Sequence, residues 1–409
     1  MTRPGNLTIE RALALARHSD SPDHYTRLLY SPAHRAASAQ IQAWMREAGM
    51  TVRVDSVGNV IGRYEAATKG AKTLLFGSHF DSVRNGGKFD GNLGILAPIE
   101  CVAEMNARGE RAAVAVEIAA FSDEEGARFA TGFLSSKSLV GQFDRAWLDR
   151  CDAAGVSLRD AMRDAGLDPE AAGKDALDPA QLAGYVELHI EQGPVLLDAG
   201  LPLGVVTTIS AGNRHTLTVK GVAGHAGTVP MKMRHDALTA AAEMVLVIEK
   251  RAGAGALVAT VGILRVHEGS SNVIPGHVDF TLDIRAGDDA TRRAAEDDIF
   301  TACEVIAKQR GVVLTRVRQS ESKVVRCSEA MQLRIAEAIT AAGVEARRLP
   351  SGAGHDAMML AEICETGMMF VRCGAGGVSH NPAETVSVED AGLAVRALLE
   401  LIRRFPPAA

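Results

Sequence analysis

The 409-residue sequence has no apolar run approaching the ~18–20 residues that a membrane-spanning helix requires. Its opening stretch, Met1–Glu10, has no apolar segment of the kind that forms a secretory leader. A basic excess is missing too: 44 lysines and arginines stand against 50 aspartates and glutamates, for a net charge of −6. Nucleic acid and membranes are therefore not expected partners, and the mild acidity favours solubility. The six cysteines, Cys101, Cys151, Cys303, Cys327, Cys364 and Cys373, contain no CxxC pair. They read as small buried hydrophobes in a reducing compartment, with the cytoplasm as the expected location. Internal repeats and low-complexity tracts are absent as well.

What is present is an ordinary globular mixture, 47% hydrophobic and 23% charged. The length exceeds the ~250–300 residues at which single cores stop growing, so two domains are expected. An amphipathic helix is read at Glu10–His18 and a second from Ser31-Pro32 to about Gly49, with serine as cap and proline in the first turn. Short apolar runs follow at Thr73–Gly77, Val114–Phe121, Tyr185–Ile190 and Val205–Ile209, separated by helical stretches such as Asn92–Arg108 and Ser157–Ala165. This alternation indicates an α/β layered domain.

The pattern changes near Arg214. Strand His215–Lys220, helix His235–Arg251, strands Ala256–Val266 and His277–Ile284, helix Thr291–Arg310 and strand Val312–Val317 follow in turn. That β-α-β-β-α-β order is the ferredoxin-like pattern. Helix Ala330–Ala342, strand Met368–Cys373 and helix Val388–Arg404 then restore the α/β character, and the last residues, Pro406–Ala409, read as a loose tail. One discontinuous domain, residues 1–213 and 327–409, is expected to enclose a second at 214–326.

Four segments carry polar chemistry at the ends of apolar runs. GSHFDSVRNGGKFDG places His79, Asp81 and Asp90 after a strand, with glycines permitting tight turns. Imidazole is a good ligand for a divalent metal and a carboxylate can bridge two; a strand-end hydrogen-bonded pair followed by a turn explains the segment equally well. FSDEEG offers adjacent Glu124 and Glu125, one able to ligate while its neighbour moves a proton, or simply a solvated acidic loop. ELHIEQGP puts His189 on the strand face shared with Glu187 and Glu191, with Gln192 at the exit; a satisfied core histidine is the plain alternative. SHNPAE holds His380 in a loop that also reads as a surface turn.

Taken together, and with GVAGHAGTVPM, these segments resemble the hydantoinase/carbamoylase amidases of the aminoacylase- and carboxypeptidase-like dinuclear metallohydrolases, in the family's order from about Asn6 to Arg404. The resemblance implies a zinc-peptidase-like catalytic domain with a mixed central sheet flanked by helices, and an inserted ferredoxin-like lid and dimerisation domain. It implies that His79 and His189 ligate one metal, that Asp90 bridges to a second, and that Glu125 and His380 complete the second site. Asp81 would orient His79, Glu124 would be the general base, and the Asp90–Gly91 peptide would be cis. Two divalent ions per subunit follow, zinc or equally manganese, cobalt or nickel. A histidine at position 189, where the metallopeptidase branches place a carboxylate, weighs against a peptidase.

In the insert, the resemblance places Arg285 and Asn272 on the substrate carboxylate and His225 on the oxyanion, the last supplied by the partner subunit of a homodimer. Gln192, Gly352 and Ala353 would line the pocket. The expected substrate is a small ureido acid: an N-carbamoyl-L-amino acid first, allantoate second, β-ureidopropionate third. A non-catalytic relative has no physical reason to keep so many buried polar ligands.

Overall fold

The computed structural model describes residues 5–255 and 257–407. These divide into two compact units. One comprises the described residues of Met1–Thr207, Cys327–Leu349 and His355–Ala409; the other comprises those of Thr208–Arg326 and Pro350–Gly354. Ala256, where a strand was expected to start, and the terminal Ala408 and Ala409 lie outside the described residues.

The strands of the first unit begin with β1 (Thr51–Val54), β2 (Val60–Tyr64), β3 (Thr73–His79), β4 (Ala115–Phe121), β5 (Leu182–Ile190) and β6 (Leu203–Ile209). The second unit contains β7 (Ala211–Lys220), β8 (Gly224–His225), β9 (Leu257–Thr260), β10 (Leu264–Val266), β11 (Val273–Ile274), β12 (His277–Ala286), β13 (Val313–Glu321) and β14 (Val325–Arg326). After it come β15 (Arg347–Ser351) and β16 (Thr366–Val371).

In the first unit the strand order is β1-β2-β4-β3-β5-β16-β6. The four central strands β4, β3, β5 and β16 run parallel, with antiparallel β2 on one side and β6 on the other. A parallel strand covered on both faces is largely apolar, and β3 is buried along its whole length, with its polar Ser78 and His79 at the carboxyl end. Helices Asn6–Leu15, Pro32–Glu47, Asn92–Ala107, Glu329–Ala341 and Val388–Arg404 supply the covering core. Ser31 caps the second of these by accepting from His34 N, with Pro32 in the first turn. Because β3, β4, β5 and β16 are parallel, the loops after His79, Phe121, Ile190 and Val371 all leave the same sheet edge. Register fixes their neighbours: His79 lies opposite Phe121, and His189 opposite Phe370.

The sequence reading missed β1 and β2. β1 is exposed and shows no alternation, and β2 contains Gly62, where a Cβ would stand 2.8 Å from Met45 Sδ. The glycine that weakens the strand signal is what lets a helix side chain approach the sheet.

The longer elements of the second unit follow the β-α-β-β-α-β order, with the two-residue strands β8, β11 and β14 added to it. Its sheet runs β10-β12-β7-β13, with β9 also on β12. Helices Ala237–Gly253 and Asp289–Arg310 cover one face, burying Leu217, Val219, Phe280 and Ile284. Burial alternates strictly along β12, so the other face is open. The single strand expected to end at Val266 is two, interrupted at 261–263 around Gly262.

Among the described residues no helix is long and apolar enough to cross a membrane. All six cysteines are free; Cys151 is exposed and Cys364 half-buried, which corrects the expectation that all are buried.

Candidate metal centre

Four loops leaving the shared sheet edge bring the donors of the first unit together. His79 closes β3 and is buried. Its Nδ1 lies 3.1 Å from the Asp81 carbonyl oxygen and 3.4 Å from Asp81 Oδ1, so the ring proton sits there and the Nε2 lone pair faces inward. His189 is held alike: Nδ1 donates to Ile190 O at 2.9 Å, and Nε2 stands 3.4 Å from Asp90 Oδ1. His380 Nε2 lies 3.2 Å from Asp90 Oδ2 and 3.3 Å from Glu125 Oε1.

Two donor sets result. His79, Asp90 and His189 place ligand atoms within 4.8 Å of one another, as do Asp90, Glu125 and His380, and Asp90 belongs to both. A third set joins His79, Glu124 and Glu125. Among the described residues the charged partners of Asp90 and Glu125 are imidazoles alone. Burial, the adjacent Glu125 and other carboxylates push the Glu124 carboxyl well above its usual range, against the pull of His79. Hydrogen bonds to Asp90 and Glu125 push His380 up to about 10, and burial pushes His189 down to about 4. A crowd of carboxylates and inward-facing imidazoles without lysine or arginine fits divalent cations, and the oxygen and nitrogen donors suit zinc, manganese, cobalt or nickel.

The Asp81 carboxylate spans the neighbouring loop, accepting from Glu124 N at 3.0 Å and Glu125 N at 3.2 Å. It therefore fixes the acidic pair as well as His79. Gln192 Nε2 reaches both Asp90 oxygens, at 3.2 and 3.3 Å.

No peptide bond among the described residues is cis, so the expectation for Asp90–Gly91 is corrected. The turn is made instead by Gly91 at φ 63°. A Cβ there would stand 2.4 Å from His79 O and 2.6 Å from its ring. Gly91→Ala is accordingly expected to cost about 1–3 kcal/mol by overpacking and to weaken metal retention, measured by thermal unfolding and by metal content after dialysis.

Two acids quoted in the motifs, but given no role from sequence, prove to be organisers. Glu384 accepts from Phe89 N and Asp90 N at 2.8 and 3.1 Å, and from Ser379 Oγ at 2.7 Å, tying the Asp90 loop to the His380 loop. Glu187 accepts from Ser78 Oγ, Tyr185 O–H and Ala357 N. With His189 and His355 it forms a further donor set. A wholly buried glutamate in an apolar strand was the available signal.

The remaining expected site residues lie in the second unit. Arg285 uses Nε and Nη2 on the two oxygens of Asp283, at 2.9 and 3.2 Å, and Nη1 on Gly352 O at 2.9 Å. Of its five N–H donors one hydrogen on each of Nη1 and Nη2 is left. It borders a cavity of about 670 Å³ on the open sheet face, shared with Arg214, Thr216, Thr281, Asp283 and Gly352. Ala353 is not among the residues lining that cavity; its N–H donates to Ser351 Oγ. His225 is exposed on β8, and its Nδ1 accepts from Gly227 N at 3.0 Å, which leaves the proton on Nε2. Asn272 lies beside it, its carbonyl accepting from Ala226 N.

A mixed sheet with polar donors gathered at the carboxyl ends of its parallel strands defines a metallohydrolase-like α/β domain. The chain belongs to the peptidase family M20/M25/M40, whose model matches residues 75–404. It is 44% identical over 378 residues to an N-carbamoyl-L-amino acid amidohydrolase of Geobacillus stearothermophilus, covering 92% of each chain. It is 39% identical over 426 residues to an allantoate deiminase of Arabidopsis thaliana, covering 96% of this chain and 81% of that one. In structure it is similar to a hydantoinase/carbamoylase family amidase from Burkholderia multivorans, with a TM-score of 0.91, 32% identity and 99% of each chain covered.

Proposed function

We propose that this chain is a metal-dependent amidohydrolase that cleaves a linear C–N bond of an N-carbamoyl acid, with N-carbamoyl-L-amino acids as substrates. The observation that carries this reading is the pair of donor sets sharing Asp90, with Glu124 beside His79. His79 and His189 would hold one divalent ion, Glu125 and His380 a second, and Asp90 both. When bound, such ions supply Lewis acidity, polarising a carbonyl and making water acidic near neutral pH.

The protein's own groups do the rest. Glu124 takes the proton of the attacking water and returns it to the leaving nitrogen, so that water and R–NH–CO–NH2 become the amino acid, carbon dioxide and ammonia. Asp81 keeps Glu124 in place through its backbone N–H. The two spare hydrogens of Arg285 suit a substrate carboxylate, with Asn272 assisting. His225, whose tautomer leaves Nε2–H as a donor, serves the oxyanion from the second subunit of a homodimer formed through the insert, which acts as lid.

Arg285→Lys is expected to raise KM by roughly 10–100-fold, the loss of one charge-assisted hydrogen bond, with kcat much less affected; steady-state kinetics decide. Allantoate is the second reading, favoured by the 39% identity to the plant deiminase; β-ureidopropionate is third. Ammonia release from N-carbamoyl-L-methionine and from allantoate, compared as kcat/KM on the same preparation, separates the first two. A higher value for allantoate would replace the first reading by the second.

A further inference from the structure

The second unit contains another convergent donor set, which the proposed hydrolysis does not use. His267, His277 and Asp279 place ligand atoms within 4.8 Å of one another. We propose that these three residues bind a divalent transition ion of the zinc, nickel or copper type, which clips the base of the loop carrying Asn272.

Both imidazoles aim Nε2 at the same carboxylate: His267 at Asp279 Oδ2, 2.8 Å away, and His277 at Oδ1, 3.4 Å away. Their rings are stacked, with centroids 4.1 Å apart and planes 20° apart. The stacked rings direct their Nε2 atoms side by side, so a shared cation requires one ring, that of the partly exposed His277, to turn toward it. Asp279 is oriented by Thr218, whose Oγ1 donates to its Oδ1 at 2.6 Å. Lys220 and Arg265 stand in register with His277 and Asp279. Among the described residues, however, the carboxylate's partners are Thr218 and the two imidazoles. Two imidazoles and one carboxylate favour zinc, nickel or copper over magnesium or calcium. The three side chains are 31–40% exposed, which leaves room for water to complete the coordination.

The place in the chain gives the site a purpose. His267 N donates to His277 O at 3.0 Å, closing the root of the loop 268–276. Within that loop β11 pairs with β8, setting Val273 opposite His225, and Asn272 O accepts from Ala226 N. An ion at the root would hold the segment that presents Asn272 and His225. The site stands on its own geometry, independent of what the first unit catalyses.

The test is equilibrium dialysis of the full chain against chelator-buffered zinc, with ions counted by mass spectrometry. The unaltered chain is expected to bind one more equivalent than a His267→Asn/His277→Asn double variant. Thr218→Val, which removes the hydroxyl that orients Asp279, is expected to weaken that one equivalent by roughly 10–100-fold. Should the double variant not fold, Asp279→Asn makes the same comparison. Equal counts with and without these side chains would overturn the proposal and leave the histidines as hydrogen-bond partners of Asp279. Ions at the Asp90 centre are counted separately with an Asp90 variant, so each reading can fail without the other.

Discussion

Glu124→Gln is expected to lower kcat by roughly 10²–10⁴, the usual contribution of a positioned general acid–base, while leaving metal content and KM nearly unchanged. The substitution keeps the shape and the backbone N–H that Asp81 holds at 3.0 Å, so the loop has no reason to move. It removes only the ability to accept and return a proton. Glu124 suits that task because burial and the neighbouring Glu125 raise its affinity for a proton, while His79, which holds ring Nδ1 toward Asp81, cannot substitute for it. Near-normal turnover by metal-loaded Glu124→Gln would show that the base lies elsewhere.

Asp90→Asn is expected to have an effect at least comparable, because Asp90 is common to both donor sets. An uncharged amide is a poorer ligand than a carboxylate, so the two proposed ions should be lost in dialysis. Activity should fall by on the order of 10³ or more, the equivalent of several kcal/mol of lost Lewis-acid stabilisation. Global folding should survive, since the parallel strands and their covering helices do not depend on this side chain; circular dichroism with metal analysis checks both halves. Retention of two ions by Asp90→Asn would contradict the shared-ligand arrangement.

The parts legible in the sequence were those with local signatures. Helix Val388–Arg404 and the capped start of helix Pro32–Glu47 agree with the sequence reading. The central strands were recognisable because burial on both faces demands unbroken apolar runs. Of the donors, His79 and His189 fall at the ends of β3 and β5, while Asp90, Glu125 and His380 lie in loops, and the resemblance to the amidase family, not local pattern, joined them into one set. What stayed hidden depends on partners distant in sequence. Glu384 matters through Phe89 N and Asp90 N, and Glu187 through Ser78 and Ala357, contacts that no local pattern encodes. The break at Gly262 and the strands β1 and β2 were lost for lack of alternation, and the turn at Gly91 uses a positive φ where a cis bond was expected. The pairing of His267 with His277 arises only once the hairpin closes.

The most direct test of the account is ammonia release from N-carbamoyl-L-methionine by protein stripped of metal with a chelator and then reloaded with zinc, manganese, cobalt or nickel. Stripped protein is expected to be inactive, and activity is expected to return with at least one of these ions bound at the Asp90 centre. Full turnover by the stripped protein, or reloaded protein that leaves every ureido acid intact, would contradict it.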